Sequence, residues 1–184
     1  MLDQNTSAQL KTLLQRLEGP IELVASLDSS DKSDKIKELV TEVAALSDQV
    51  TARFDGSNKR TPSFGIAKVG EQPRVNFAGL PMGHEFTSLI LALLQVSGYA
   101  PKVSDEVLAQ IKGLNLTVDF DVFVSLSCHN CPDVVQALNL IAINNPGTTA
   151  TMIDGAFSRT KWKNAKSWQC QCCSRMASTL VRAV

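Results

Sequence analysis

The chain has 184 residues, 44% of them hydrophobic, and its 18 basic and 18 acidic side chains cancel to a formal charge of zero. Such a composition belongs to a globular protein with one or two small cores and excludes an intrinsically disordered chain. No stretch approaches the ~20 apolar residues of a membrane span and no signal peptide opens the sequence, so a soluble cytoplasmic protein is expected.

Leu10, Leu13, Leu14 and Leu17 recur on one face and predict a helix over Leu2 to Leu17, stopped by Gly19-Pro20. Ile21 to Leu27 reads as a strand, and Asp28-Ser29-Ser30 as a turn and helix cap. Ile36, Leu39, Val40, Val43 and Leu46 then follow at helical spacing, with a short strand near Val50 to Phe54. The runs Pro62–Ala67 and Arg74–Ala78 predict a hairpin about Gly70. A further helix opens near Gly83 and carries Phe86, Leu89, Ile90, Leu93 and Leu94. The order α-β-α-β-β-β-α matches a thioredoxin-like unit, with helices on both sides of a mixed sheet.

After Gly98-Tyr99-Ala100-Pro101 the order begins again. A helix is expected near Ser104 to Ile111, a strand near Leu116 to Val124, a helix ending at about Ile143 and a strand over Thr149 to Ile153. The expected fold class is therefore α/β, as two tandem thioredoxin-like folds with the second incomplete. The first covers residues 1–100 and the second begins over 101–155; the alternative is one irregular α/β domain.

The chemistry is carried by Cys128-His129-Asn130-Cys131-Pro132, between the strand-like run Phe120–Leu126 and the helical apolar set Val134, Val135, Leu138, Leu140 and Ile141. A helix N-terminus supplies partial positive charge and free N–H groups, which favour a thiolate. The second sulfur, one turn away, can then resolve a mixed disulfide. Half of a zinc site is the alternative, and it requires a second pair of ligands. Pro132 suits the first helical turn, where its missing N–H costs nothing. In the first repeat Leu27-Asp28-Ser29-Ser30 stands where such a pair would be expected. His129 is read as a solvent-facing spacer and His84 as a packing or capping residue. Glu85 by itself is an ordinary first-turn glutamate.

The segment Ser125–Asn139, together with Gly83-His84-Glu85-Phe86-Thr87-Ser88-Leu89, resembles the N-terminal domain of the flavoprotein subunit of bacterial alkyl hydroperoxide reductase. The resemblance covers residues 1 to about 155. It implies a dithiol relay in which a flavin domain oxidises NADH, reduces this module, and the module reduces a peroxiredoxin subunit. By position Cys128 would be the exposed attacking thiol and Cys131 the resolving one. Glu85 resembles the family carboxylate near the dithiol and would act as a proton carrier. FAD and NADH would be used by a C-terminal part that this chain lacks, through which family members form homodimers. This chain would itself bind no cofactor, metal, nucleic acid or membrane, and would not be a complete peroxide reductase.

Residues 156–184 differ in character. They hold six of the 18 basic residues, none of the acidic ones, both tryptophans and three of the five cysteines. A metal-binding interaction protein using Cys128, Cys131, Cys170, Cys172 and Cys173 is the rival reading, yet the segment has no zinc-ribbon turn residues. It has no convincing period either, and the family resemblance stops at its start. With codons chosen among those each residue permits, Cys170-Gln171-Cys172-Cys173-Ser174 can be read one base over as Val-Pro-Val-Leu-Phe, followed by an Asn-Gly hairpin signal. The expectation is an aberrant tail from a single-base frame shift, ending where the shifted frame meets a stop codon. The chain would then be a truncated relay module, or an inert pseudogene product if the second repeat cannot fold.

Overall fold

Asp3 opens the first helix: its carboxylate accepts from the Thr6 backbone N–H and from the Thr6 hydroxyl, each at 2.8 Å. Helix α1 (Gln4–Leu14) thus starts with one orphan donor satisfied and turns Leu10 and Leu14 inward. It closes before the expected Leu17. The N–H groups of Arg16 and Leu17 donate to carbonyls three residues back, tightening the chain ahead of Gly19-Pro20, and Leu17 is buried from that turn. The computed structural model describes residues 1–115 and 117–156. The expected aberrant, frame-shifted tail over residues 157–184 lies outside the described residues.

Strand β1 (Ile21–Ser26) is the hub of the first repeat. It lies parallel to β2 (Val50–Arg53), reached through α2 (Asp31–Ala44), and antiparallel to β3 (Ser63–Lys68). All six β1 residues are buried, so both faces of the sheet are covered there. β3 turns back into β4 (Val75–Ala78) around Gly70, whose φ of +82° is in the region a side chain disfavours. Phe64 and Phe77 pair across this hairpin with stacked rings, centroids 5.4 Å apart. A 3₁₀ turn (Gly83–Glu85) then leads into α3 (Phe86–Ser97). Gly98 ends that helix with φ +115°, and Tyr99 N–H returns to the Leu94 carbonyl at 3.1 Å.

The second repeat contributes α4 (Asp105–Gly113), β5 (Val118–Val124), α5 (Cys131–Asn144) and β6 (Thr148–Asp154). β5 and β6 pair in parallel across the α5 crossover, and β6 pairs in parallel with β4. One six-stranded sheet results, in the order β2-β1-β3-β4-β6-β5. Apolar residues of both repeats, from Leu10 to Met152, form one continuous buried cluster. The two halves are therefore fused through their strands.

Residues 54–62, between β2 and β3, strap the halves together. Gly56 N–H donates to the Ala25 carbonyl at 3.0 Å and Asn58 N–H to the Ser26 hydroxyl at 2.8 Å, both on β1. The Asn58 amide reaches Asn76 on β4 at 3.1 Å. Lys59 then pairs with Asp119 at 2.7 Å and Arg60 with Asp121, both on β5. Among the described residues no helix is long and apolar enough to cross a membrane.

A cysteine pair at a strand-to-helix junction

β5 delivers the chain to one end of the sheet, where Ser125–Asn130 turns into α5. Cys128 N–H donates to the Ser125 carbonyl at 2.9 Å, and this turn brings the chain round so that Cys131 is the first helical residue. The Cα atoms of Cys128 and Cys131 are 5.5 Å apart and their sulfurs are joined in a disulfide. Cys131 is buried at 3% exposure, and Cys128 is only partly covered. The capping residue Asn130 makes no side-chain bond to the first turn, so its side chain does not use the helix N–H groups that favour a thiolate.

The thiol-free repeat supplies the wall beside this pair. His84 N–H donates to the Leu126 carbonyl at 3.4 Å. Gly83 sits at φ +59°, and a Cβ there would approach the same carbonyl oxygen to 3.1 Å. The imidazoles of His84 and His129 meet with centroids 4.4 Å apart and planes tilted by 43°. Both histidines are exposed, so His84 does not pack into the core. Reading the two motifs separately misses this pairing. The signal is present, since each motif of the resemblance carries one histidine.

Glu85 is not the surface glutamate its helix-start position suggests: its exposure is 0%. Neither carboxyl oxygen has a hydrogen-bond partner of good geometry. Burial raises its pKa above the ordinary glutamate value, and the Ser88 hydroxyl opposes this only as a lesser influence. Its level in the fold follows from the packing of α3 on α5. Gln136 Nε2 donates to Ser88 Oγ at 3.3 Å near the start of both helices, and Gln95 and Ile143 line one cavity near their ends. The helices therefore run parallel, and Glu85, one turn before Ser88, falls level with the first turn of α5. Among the described residues no group of three His, Cys, Asp or Glu side chains could hold a metal ion. Cys170, Cys172 and Cys173 of the rival metal reading lie outside the described residues.

A mixed sheet flanked by helices, with a cysteine pair where a strand enters a helix, defines a thioredoxin-like dithiol–disulfide module. No protein-family model matches the chain. Curated relatives do. The chain is 52% identical over 164 residues to the alkyl hydroperoxide reductase protein AhpF of Staphylococcus epidermidis, covering 89% of this chain and 32% of the relative. It is 51% identical over 157 residues to AhpF of Pseudomonas aeruginosa, covering 85% and 30%. Among solved structures it is similar to the NTD_N/C domain of AhpF from Enterococcus faecalis, with TM-score 0.79, 28% identity and coverage of 91% and 87%. A protein disulfide oxidoreductase from Aeropyrum pernix shares the fold at TM-score 0.73 and 17% identity, with coverage of 91% and 83%. In sequence and in fold alike the chain is similar to the N-terminal region of the alkyl hydroperoxide reductase AhpF. It spans about a third of the length of the curated relatives it matches.

Proposed function

We propose that the chain relays electron pairs between a flavin-containing reductase domain and a peroxiredoxin, through Cys128 and Cys131. The observation that carries this reading is the unequal exposure of two bonded cysteines at a helix N-terminus. In the reduced module the accessible Cys128 thiolate attacks one sulfur of the partner's disulfide. That bond breaks, and the departing partner thiolate takes up a proton. Cys131, having lost its own proton, then attacks the Cys128 sulfur of the mixed disulfide and releases the second partner thiolate. The partner gains two electrons and the module returns to its disulfide form. Reduction by the flavin domain runs the same exchange in reverse. FAD and NADH act in that domain, outside this chain.

Glu85 serves as the proton carrier of the resolving step. Its burial level with the first turn of α5 keeps the carboxyl protonated to higher pH than an exposed glutamate. In that neutral form it does not repel a thiolate; it gives its proton to the departing partner sulfur, and the carboxylate left behind takes the proton that Cys131 loses before it attacks.

The test is a trapping experiment with the full chain and an oxidised two-cysteine peroxiredoxin. The reduced Cys131→Ser variant should accumulate a mixed disulfide through Cys128, visible as a mass adduct that thiol reductants remove. The Cys128→Ser variant should form far less. Equal trapping by both, or by neither, ends the assignment.

A further inference from the structure

We infer that the cavity where α3 and α5 end is a binding site for a small carboxylate with an apolar body, taken up by Arg74. The cavity measures about 260 Å³ and draws its walls from both repeats. The turn between β3 and β4 and the end of α3 form part of it, and the last turn of α5 supplies the rest. A cavity of ~150 Å³ already holds benzene, so this one has room for a ring bearing a carboxylate. Buried Ile66, Val75 and Val96 give the lining its apolar part.

The polar part of the lining is uncommitted. Arg74, Gln95 and Tyr99 are half-buried, yet their side chains make no hydrogen bond or ion pair among the described residues. A guanidinium presents a rigid fork of N–H donors that meets a carboxylate through two parallel bonds. Lys68 adds a second positive charge, and Glu71 is the one acid among the described lining residues; both are exposed. The cations are not needed to cap the helices. At the end of α3, Gly98 N–H donates to the Gln95 carbonyl and Tyr99 N–H to the Leu94 carbonyl, each at 3.1 Å. At the end of α5, the Asn144 amide donates to the Leu140 carbonyl at 2.9 Å and Asn145 N–H to the Ile141 carbonyl at 2.8 Å. These late carbonyls thus find donors within their own helix ends, and the Arg74 fork is left for a ligand. The site lies at the ends of α3 and α5 remote from the cysteine pair, and it stands whether or not the module relays electrons.

The probe is benzoate, with benzamide as its uncharged isostere, each titrated calorimetrically into the full chain at low ionic strength. Benzoate should bind at least tenfold more tightly than benzamide, since only the anion engages the fork in charge-assisted bonds. Arg74→Ala should weaken benzoate at least tenfold, and Arg74→Lys, which keeps the charge but not the fork, should restore only part of the loss. Gln95→Leu removes a donor from α3 without touching the sheet and should weaken benzoate severalfold. Circular dichroism checks that each variant folds, and the benzamide contrast in the parent decides even where one does not. Equal binding of the two probes overturns the site. Benzoate binding that survives both Arg74→Ala and Gln95→Leu belongs elsewhere on the chain, as on the basic residues 156–184, and overturns it too. So does a parent chain that binds no benzoate.

Discussion

Gln136 on α5 donates to the Ser88 hydroxyl on α3 at 3.3 Å, joining a helix of the thiol-bearing repeat to a helix of the thiol-free one. This contact sets the level at which Glu85 meets the first turn of α5, and the buried carboxyl has a consequence for stability. Its folded-state pKa is raised, so the folded protein holds a proton that the unfolded chain releases sooner. The stability that the proton confers is full below the unfolded glutamate value. It is lost as pH rises through the folded value.

Glu85→Gln removes that dependence. At pH 7–8 the variant should melt higher than the parent, by about 2–4 °C for each kcal/mol gained in a chain of this size. The difference should shrink as pH falls toward 4. If relay chemistry uses the carboxyl, the same variant should also slow disulfide resolution while leaving the first attack by Cys128 intact. Thermal unfolding across pH and rapid-mixing thiol exchange read the two effects separately. A melting difference independent of pH would contradict the buried-carboxyl account.

Gly83→Ala tests the contact between the repeats from the other side. The backbone at φ +59° is strained for alanine, and the new Cβ would press on the Leu126 carbonyl at 3.1 Å. A loss of about 1–2 kcal/mol in denaturant unfolding is expected. Reduction of the disulfide should also change in rate, because the Leu126 carbonyl belongs to the loop that carries Cys128. Unchanged unfolding and unchanged reduction together would show that the turn does not brace the dithiol.

Much of this architecture is legible in the sequence, and what is not has a common cause. Ile21–Ser26 and Val75–Ala78 stand out as apolar runs, and the α5 face shows its period, because those signals are local. The parallel pairing of β4 with β6 is not local. Nothing in Val75–Ala78 says that its second neighbour lies about 75 residues further on. The burial of Glu85 is hidden in the same way, since a glutamate in a first helical turn normally faces water. His84 and His129 look like separate spacers until the fold brings their rings together. Leu17 misleads the helical pattern for a local reason: its apolar side chain is buried from a turn that only continues the helical face.

The strap of residues 54–62 makes a contrast between two ion pairs that can be measured. Arg60 and Asp121 have side chains only 21% and 26% exposed, and the guanidinium also lies over Phe123, 6.0 Å from its centroid. Arg60 Nε and Asp121 Oδ1 are buried without a further partner, so losing one member strands the other. A double-mutant cycle on Arg60→Ala and Asp121→Ala should give a coupling of about 1 kcal/mol or more that persists at high salt. Lys59 and Asp119 are 60% and 57% exposed, and their coupling should be smaller and fade with salt. Equal couplings for the two pairs would refute the burial argument.

Residues 157–184 are proposed to be the product of a reading-frame shift. Six basic residues without a single acid, and a cysteine-rich run without period, are what a shifted frame leaves when no selection acts on side-chain pattern. The middle base of each re-read codon is the first base of the observed one, which the amino acid largely dictates. Trp168 and Met176 each allow only one codon. With permitted codons the re-read segment can contain a Val-Pro turn and an Asn-Gly hairpin signal, the kind of strand-turn-strand pattern that would extend the sheet beyond β6. The gene should therefore hold one base too many or too few near codon 156, and restoring the frame should raise the thermal midpoint of the second repeat. A gene in which no single-base change opens that frame disposes of the idea.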